Sequence, residues 1–200
     1  MLSFRTRRER QLWGAAIVLL ALIYSTLYLV RPVTEFLRER NLLRATVAAG
    51  FLLAGAWIAR RTWLARPGWR ELLNLTLWAA VTLALAWGFE LPEERVHLLE
   101  YGLFAGLVFS ALLEHRAEDP DRGPPVVTPV VVAILITTFC GWLDEGIQYY
   151  LPNRYFGWRD VALNAAAGLI VTAAMTGRRW ARVHDRETRN GAAPTSTTGC

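Results

Sequence analysis

The 200-residue chain contains no lysine: its 22 basic residues are all arginine, set against 17 acidic ones for a net charge of +5. Only two cysteines are present, Cys140 in an apolar run and Cys200 in the last position. That excludes a disulfide framework and a zinc-finger spacing. The final Gly-Cys is no prenylation box, which needs its cysteine fourth from the end. Neither Gly-x-Ser-x-Gly nor His-Glu-x-x-His occurs, so no nucleophile or zinc-protease motif is fixed by sequence. Charge itself is missing from long stretches, and this clustering excludes an ordinary soluble domain, whose polar and apolar residues interleave at a period of two or 3.6. Apolar residues at 54% of the chain exclude a disordered polymer. The arginines fall between apolar runs, where membrane topology places them, so no nucleic-acid partner is expected.

Six segments, 12–30, 45–59, 72–89, 96–113, 125–143 and 161–177, are nearly free of charge, the exceptions being His97 and Glu100 in the fourth. At about 1.5 Å per residue, roughly 20 residues cross a hydrocarbon core. The second segment is short and reaches that length if Arg44 snorkels. The expected fold class is therefore all-α, a polytopic transmembrane bundle of about six helices, with four helices and two re-entrant pieces as the rival. The first apolar run exceeds a signal-peptide core and ends in no small-x-small site, so it is expected to persist as a helix. With the N terminus inside, 15 arginines lie on the cytoplasmic side and seven (Arg31, Arg38, Arg40, Arg44, Arg95, Arg154, Arg159) on the other. That asymmetry predicts both termini in the cytoplasm. Trp13, Trp63, Trp87, Trp142 and Trp158 lie near segment ends, as an interfacial belt would have them. No internal repeat is visible. Residues 1–184 read as one membrane domain and 185–200, rich in Ala, Thr, Gly and Asn, as a disordered cytoplasmic tail.

Polar residues concentrate in two stretches that this topology sends to one side. The first, 92–101, carries His97, Glu100 and Tyr101 at spacings of three and four, on one helical face. A carboxylate inside a membrane is costly and should face the bundle interior with a partner. The second carries Asp144, Glu145 and Gln148, then Pro152-Asn153-Arg154, then Asp160 and Asn164. If the fifth helix continues past Leu143, Asp144 and Gln148 stack at i and i+4. Proline and asparagine then make a turn. Asp160, Asn164 and Gly168 repeat every four residues, a stripe on which another helix can approach at the glycine. Plainer roles stand beside these. Asp160 fits a helix N-cap, Arg154 an interfacial anchor or a salt-bridge partner of Asp144 or Glu145, Asn164 interhelical glue worth about 1 kcal/mol or less, and Tyr149 and Tyr150 belt residues. The convergence of one histidine, four carboxylates, two amides and an arginine on one membrane face exceeds what packing needs, and it points to a pocket.

The pattern Pro92-Glu93, His97, Glu100-Tyr101, followed by Asp144-Glu145-x-x-Gln148-x-x-x-Pro152-x-Arg154, Asp160-x-x-x-Asn164-x-x-x-Gly168, resembles the VanZ-like family of small integral membrane proteins. The resemblance covers about 93–177. Two positions depart from it: a histidine frequent before the glutamine is Ile147 here, and the glycine after the loop proline is Asn153. The second change keeps a residue that accepts a left-handed backbone. The first removes an imidazole and weakens a metal-site reading. The resemblance implies a multi-pass protein of the bacterial cytoplasmic membrane, tied to the envelope and to low-level glycopeptide (teicoplanin-type) resistance.

The leading expectation is a pocket that takes the polar head group of a membrane lipid, a lipid-linked cell-wall precursor or a glycopeptide, without catalysis and without a cofactor or metal. In it Arg154 meets a phosphate or carboxylate by bidentate hydrogen bonds. One alternative is an intramembrane hydrolase in which His97 and the carboxylates act as acid and base or hold a metal. The other is a purely structural role for the polar residues. A transporter is disfavoured by the absence of repeats and of paired broken helices.

Overall fold

The computed structural model describes residues 5–88, 92–117, 127–151 and 156–191. Among these the chain is helical, with six helices: α1 (Arg7–Glu39), α2 (Leu43–Leu64), α3 (Trp69–Trp87), α4 (Pro92–Ala117), α5 (Val127–Tyr149) and α6 (Trp158–Gly191). Five are long and apolar enough to cross a membrane, over Arg7–Leu27, Leu43–Leu64, Arg95–Ala117, Val127–Tyr149 and Trp158–Asp185. The sequence led us to expect six. The exception is the 19-residue α3, whose first two turns carry Arg70, Glu71 and Asn74 and leave a shorter apolar remainder.

Two helices run further than their uncharged cores. Helix α1 continues through Pro32 to Glu39, so much of the expected outer loop is helical. It starts at a capping box in which the Thr6 hydroxyl accepts from the Glu9 amide at 2.9 Å and Glu9 accepts from the Arg5 amide at 2.8 Å. Helix α6 extends to Gly191, past residue 185 where the tail was expected to begin; residues 192–200 lie outside the described residues. Its last turns carry charges of both signs, a composition that supports a solvated helix. The α1–α2 and α2–α3 connections turn at Asn41 and Arg66, both with positive φ (56° and 49°).

Helix α4 is the centre of the bundle, packed against α1, α2, α5 and α6, while α3 docks on α6. Its inner face of Tyr101, Phe104, Ala105, Val108 and Phe109 is buried against Ala133 and Cys140 of α5 and Leu163, Ala167 and Ile170 of α6. Helix α2 by contrast leaves Leu52, Leu53, Trp57 and Trp63 exposed, an apolar surface suited to hydrocarbon. Helices α5 and α6 approach closely at two glycines. A β-carbon on Gly141 would lie 2.5 Å from Cβ of Asn164, and one on Gly168 would lie 3.3 Å from Cβ of Thr137. The expected small-residue stripe on α6 thus meets α5, and α5 supplies a glycine of its own.

Polar ties fix both ends of the bundle. At one end the starts of α1 and α3 meet the ends of α4 and α6. There the buried Glu9 accepts from His115 at 2.9 Å, and Glu71 is bound by Arg178 and by Arg182, whose Nε and Nη2 lie 3.0 and 2.9 Å from its oxygens. Asn74 donates to the carbonyl of Ala174 at 2.9 Å. Burial raises the cost of ionising Glu71, but the hydrogen bonds and charges of Arg182 and Arg178 outweigh it and hold the carboxyl below its ordinary value.

Removing that carboxylate strands two guanidiniums, so Glu71→Ala should cost about 3 kcal/mol of stability, the low end for breaking a buried pair because both arginines are partly exposed. Because the folded-state pKa lies below the ordinary 4.5, the stabilisation is complete above that pH and fades as pH falls through the folded value. Thermal unfolding in detergent should therefore show a steeper loss of stability in acid for the wild type than for Glu71→Gln.

Candidate functional site

The second polar cluster lies at the opposite end, where α4 and α6 begin and α5 ends. Helix α5 continues to Tyr149, as the stacking of Asp144 under Gln148 requires. Thr137, Gly141, Asp144, Glu145 and Gln148 fall within about 100° of arc at 3.6 residues per turn, and all are buried. The other face of α5, with Trp142, Leu143, Ile147 and Tyr149, is exposed and lines an open apolar groove of about 660 Å³ together with Gly146, Tyr150 and Phe156. One helix therefore presents hydrocarbon to its surroundings and carboxylates to the bundle.

Asp144 is 0% exposed and Glu145 1%. The Tyr101 hydroxyl of α4 donates to Asp144 Oδ2 at 3.0 Å, and Gln148 Nε2 donates to Asp144 Oδ1 and Glu145 Oε1 at 3.3 Å each. A single amide thus bridges two neighbouring carboxylates and moderates their repulsion. The other Glu145 oxygen accepts from the backbone N–H of Gly157 at 3.0 Å. Gly157 immediately precedes α6, so Glu145 caps that helix from across the bundle, where the dipole favours negative charge. His97 lies on the same face of α4 as Tyr101, with ring centroids 6.3 Å apart, and its Nδ1 is 3.8 Å from Asp144 Oδ2. That nitrogen is buried and has no hydrogen-bond partner among the described residues.

Asp160 is the third residue of α6, not its N-cap. Its Oδ2 and Glu145 Oε2 flank Gly157, 2.9 and 3.6 Å from where a β-carbon would stand. One turn further, Asn164 is 0% exposed and neither atom of its amide has a hydrogen-bond partner among the described residues. A buried amide left this way costs about 1 to 3 kcal/mol per group. Packing alone does not account for it.

Of the residues expected to converge, His97, Tyr101, Asp144, Glu145, Gln148, Asp160 and Asn164 gather where α4, α5 and α6 meet. Glu100 is largely buried on α4 beside His97 and within reach of the Asp144 charge, but it makes no hydrogen bond or ion pair among the described residues. Arg154 and the Pro152-Asn153 turn lie outside the described residues. Tyr149 and Tyr150 are exposed, stacked edge to face at 5.4 Å on the outer surface. Among the described residues no three His, Cys, Asp or Glu side chains are grouped to hold a metal ion.

Tyr24 of α1 was missed by sequence reasoning. Its hydroxyl donates to the carbonyl of Cys140 at 2.7 Å, the same oxygen that lies 3.4 Å from the Tyr101 hydroxyl. With one proton per phenol, Tyr24 serves the carbonyl and Tyr101 is left to serve Asp144. The available signal was the polar patch Tyr24-Ser25-Thr26 inside an otherwise apolar run. Gly141 was missed too, although it lies four residues before Glu145 on the buried face.

Comparison with protein-family profiles, with curated proteins and with solved structures returned no match, and the site is read from its own chemistry. Tyr101→Phe removes the hydroxyl donor from a fully buried carboxylate and should cost about 1.5 to 3 kcal/mol. In a double-mutant cycle with Asp144→Asn, unfolding measurements should show a coupling of about 1 kcal/mol or more. Additive effects would mean that the Tyr101–Asp144 bond adds nothing to the fold.

Proposed function

We propose that this protein is a VanZ-like, multi-pass protein of the bacterial cytoplasmic membrane, and that the cluster between α4, α5 and α6 is a pocket for the polar head group of a lipid or wall-related amphiphile. The observation that carries the reading is the burial of Asp144, Glu145, Gln148 and Asn164 within one interhelical seam of an otherwise apolar bundle. Helix packing in lipid needs small residues and an occasional hydrogen bond. Two adjacent buried carboxylates exceed that need. The family resemblance adds support, since its spaced residues Tyr101, Asp144, Glu145 and Gln148 are in mutual contact.

The arginine asymmetry orients the pocket. With the shorter α3 counted as a sixth crossing, the end holding Glu9, Glu71, Arg178 and Arg182 is the arginine-rich one and faces the cytoplasm with both termini; the pocket faces outward, towards cell-wall precursors. A contribution to teicoplanin-type resistance follows if the pocket holds such a precursor or the glycopeptide itself.

A second reading, an acid–base hydrolase of a lipid-linked substrate, draws on the approach of His97 to Asp144 at 3.8 Å. It requires a water or substrate hydroxyl between His97 and the bond to be cleaved. Product release on incubation with lipid phosphates, abolished by His97→Gln, would favour it over binding alone.

Expression in a susceptible Gram-positive host tests the leading reading. Wild-type protein should raise teicoplanin tolerance and co-purify with lipid, and Glu145→Gln, which removes the charge but keeps the shape, should lower both several-fold. Unchanged susceptibility together with no retained lipid would sink it.

A further inference from the structure

The chemistry of Asn164 narrows what enters the pocket. Its carbonyl oxygen accepts hydrogen bonds, its amide nitrogen donates them, and both are buried without partners among the described residues. The side chain is held in place because Gly141 yields the space its Cβ occupies. Gly141 lies one turn before Asp144 and Glu145 on the same face of α5, so the amide is adjacent to the carboxylates. One turn before it on α6, towards the end of the bundle, Asp160 is partly exposed.

Three kinds of polar head group can be weighed against this pair. An ammonium group donates only, satisfying the Asn164 oxygen and leaving its nitrogen stranded. A phosphate or carboxylate accepts only, stranding the oxygen and bringing a third acidic group beside Asp144 and Glu145. A hydroxyl does both. It gives its proton to Oδ1 or to a carboxylate and takes a hydrogen bond from Nδ2, and a second hydroxyl can do the same for the orphaned His97 Nδ1.

Resting on the pocket reading, we propose that the site selects a neutral, hydroxyl-bearing head group of the sugar or polyol class, and that Asn164 is the residue that sets this preference. Asn164 binds the ligand hydroxyl directly, while Tyr101 and Gln148 hold the carboxylates that share it. A phosphate elsewhere on the same amphiphile would lie outside the Asn164 seat.

The test uses the full chain in nanodiscs and three radiolabelled probes that share one alkyl chain: an alkyl glucoside, an alkylammonium and an alkyl phosphate. Retention is measured by equilibrium dialysis with empty nanodiscs subtracted. The wild type should retain the glucoside at least about tenfold better than either charged probe, the factor expected from one well-paired buried hydrogen bond. Asn164→Leu and Asn164→Ala should erase that preference, and Asn164→Asp, which only accepts, should shift it towards the ammonium. The wild-type ranking decides the hydroxyl preference even if a variant fails to fold, and the role of Asn164 is read from whichever of its variants folds. Equal retention of the three probes by the wild type overturns the inference. So does a glucoside preference that survives in Asn164→Leu, which would mean that the amide holds only water. If the wild type retains the probes unselectively and Glu145→Gln loses them all, the pocket stands and the hydroxyl assignment falls. If the wild type retains none above empty nanodiscs, the pocket reading itself falls.

Discussion

Asp144 and Glu145 sit side by side in the bundle with almost no exposed surface, and the geometry of the last three helices follows from what that burial demands. An ionised carboxylate deprived of water is costly by several kcal/mol unless donors replace its hydration. Within α5 Gln148 donates from one turn on, and further donors come from other parts of the chain. Helix α4 supplies the Tyr101 phenol, which fixes its rotation, and the N–H of Gly157 before α6 fixes where the last helix begins. Helix α1 is bound in through Tyr24, by way of a backbone carbonyl of the same α5 turn.

These ties work only if α5 and α6 lie close enough for the donors to reach. Gly141 and Gly168 provide that closeness, each receiving a side chain from the facing helix, Asn164 and Thr137 respectively. In a lipid environment hydrocarbon gives helices little reason to prefer each other over acyl chains, so close backbone approach and interhelical hydrogen bonds carry the association. The reciprocal arrangement also explains why so polar a residue as Asn164 is held between the helices rather than turned outward: Gly141 leaves a space of its shape.

The sequence carried the all-helical class and most of the site, because both depend on local signals. Uncharged runs of near 20 residues mark spans whatever their partners, and the i, i+3, i+4 spacing of Asp144, Glu145 and Gln148 puts them on one face. What it did not carry depends on tertiary distance. Glu100 reads as a companion of His97 and Tyr101 by spacing and does come under the charge of Asp144, yet no hydrogen bond among the described residues ties it to the cluster. Tyr24 lies 116 positions from Cys140, and nothing local joins them. The failure of α3 to match the other spans is legible only after Glu71 and Asn74 are seen bound to α6, when their presence near the start of an apolar run becomes a docking requirement rather than an interruption.

The two ends of the bundle answer the same electrostatic problem differently, and under the proposed reading the difference separates scaffold from pocket. At the arginine-rich end Glu9 accepts from His115 and from a backbone amide, and Glu71 has two guanidiniums; each buried carboxylate there is met by cationic or backbone donors. Nothing more is needed there than to hold α1 to α4 and α3 to α6. At the other end a phenol, a carboxamide and a peptide N–H are among the donors to the carboxylates. Beside them Asn164 and His97 keep hydrogen-bonding capacity that the described chain does not use. A scaffold gains nothing from that surplus and loses stability by it. A surface that must exchange partners needs such capacity, since a group already bound within the protein has nothing to offer a ligand.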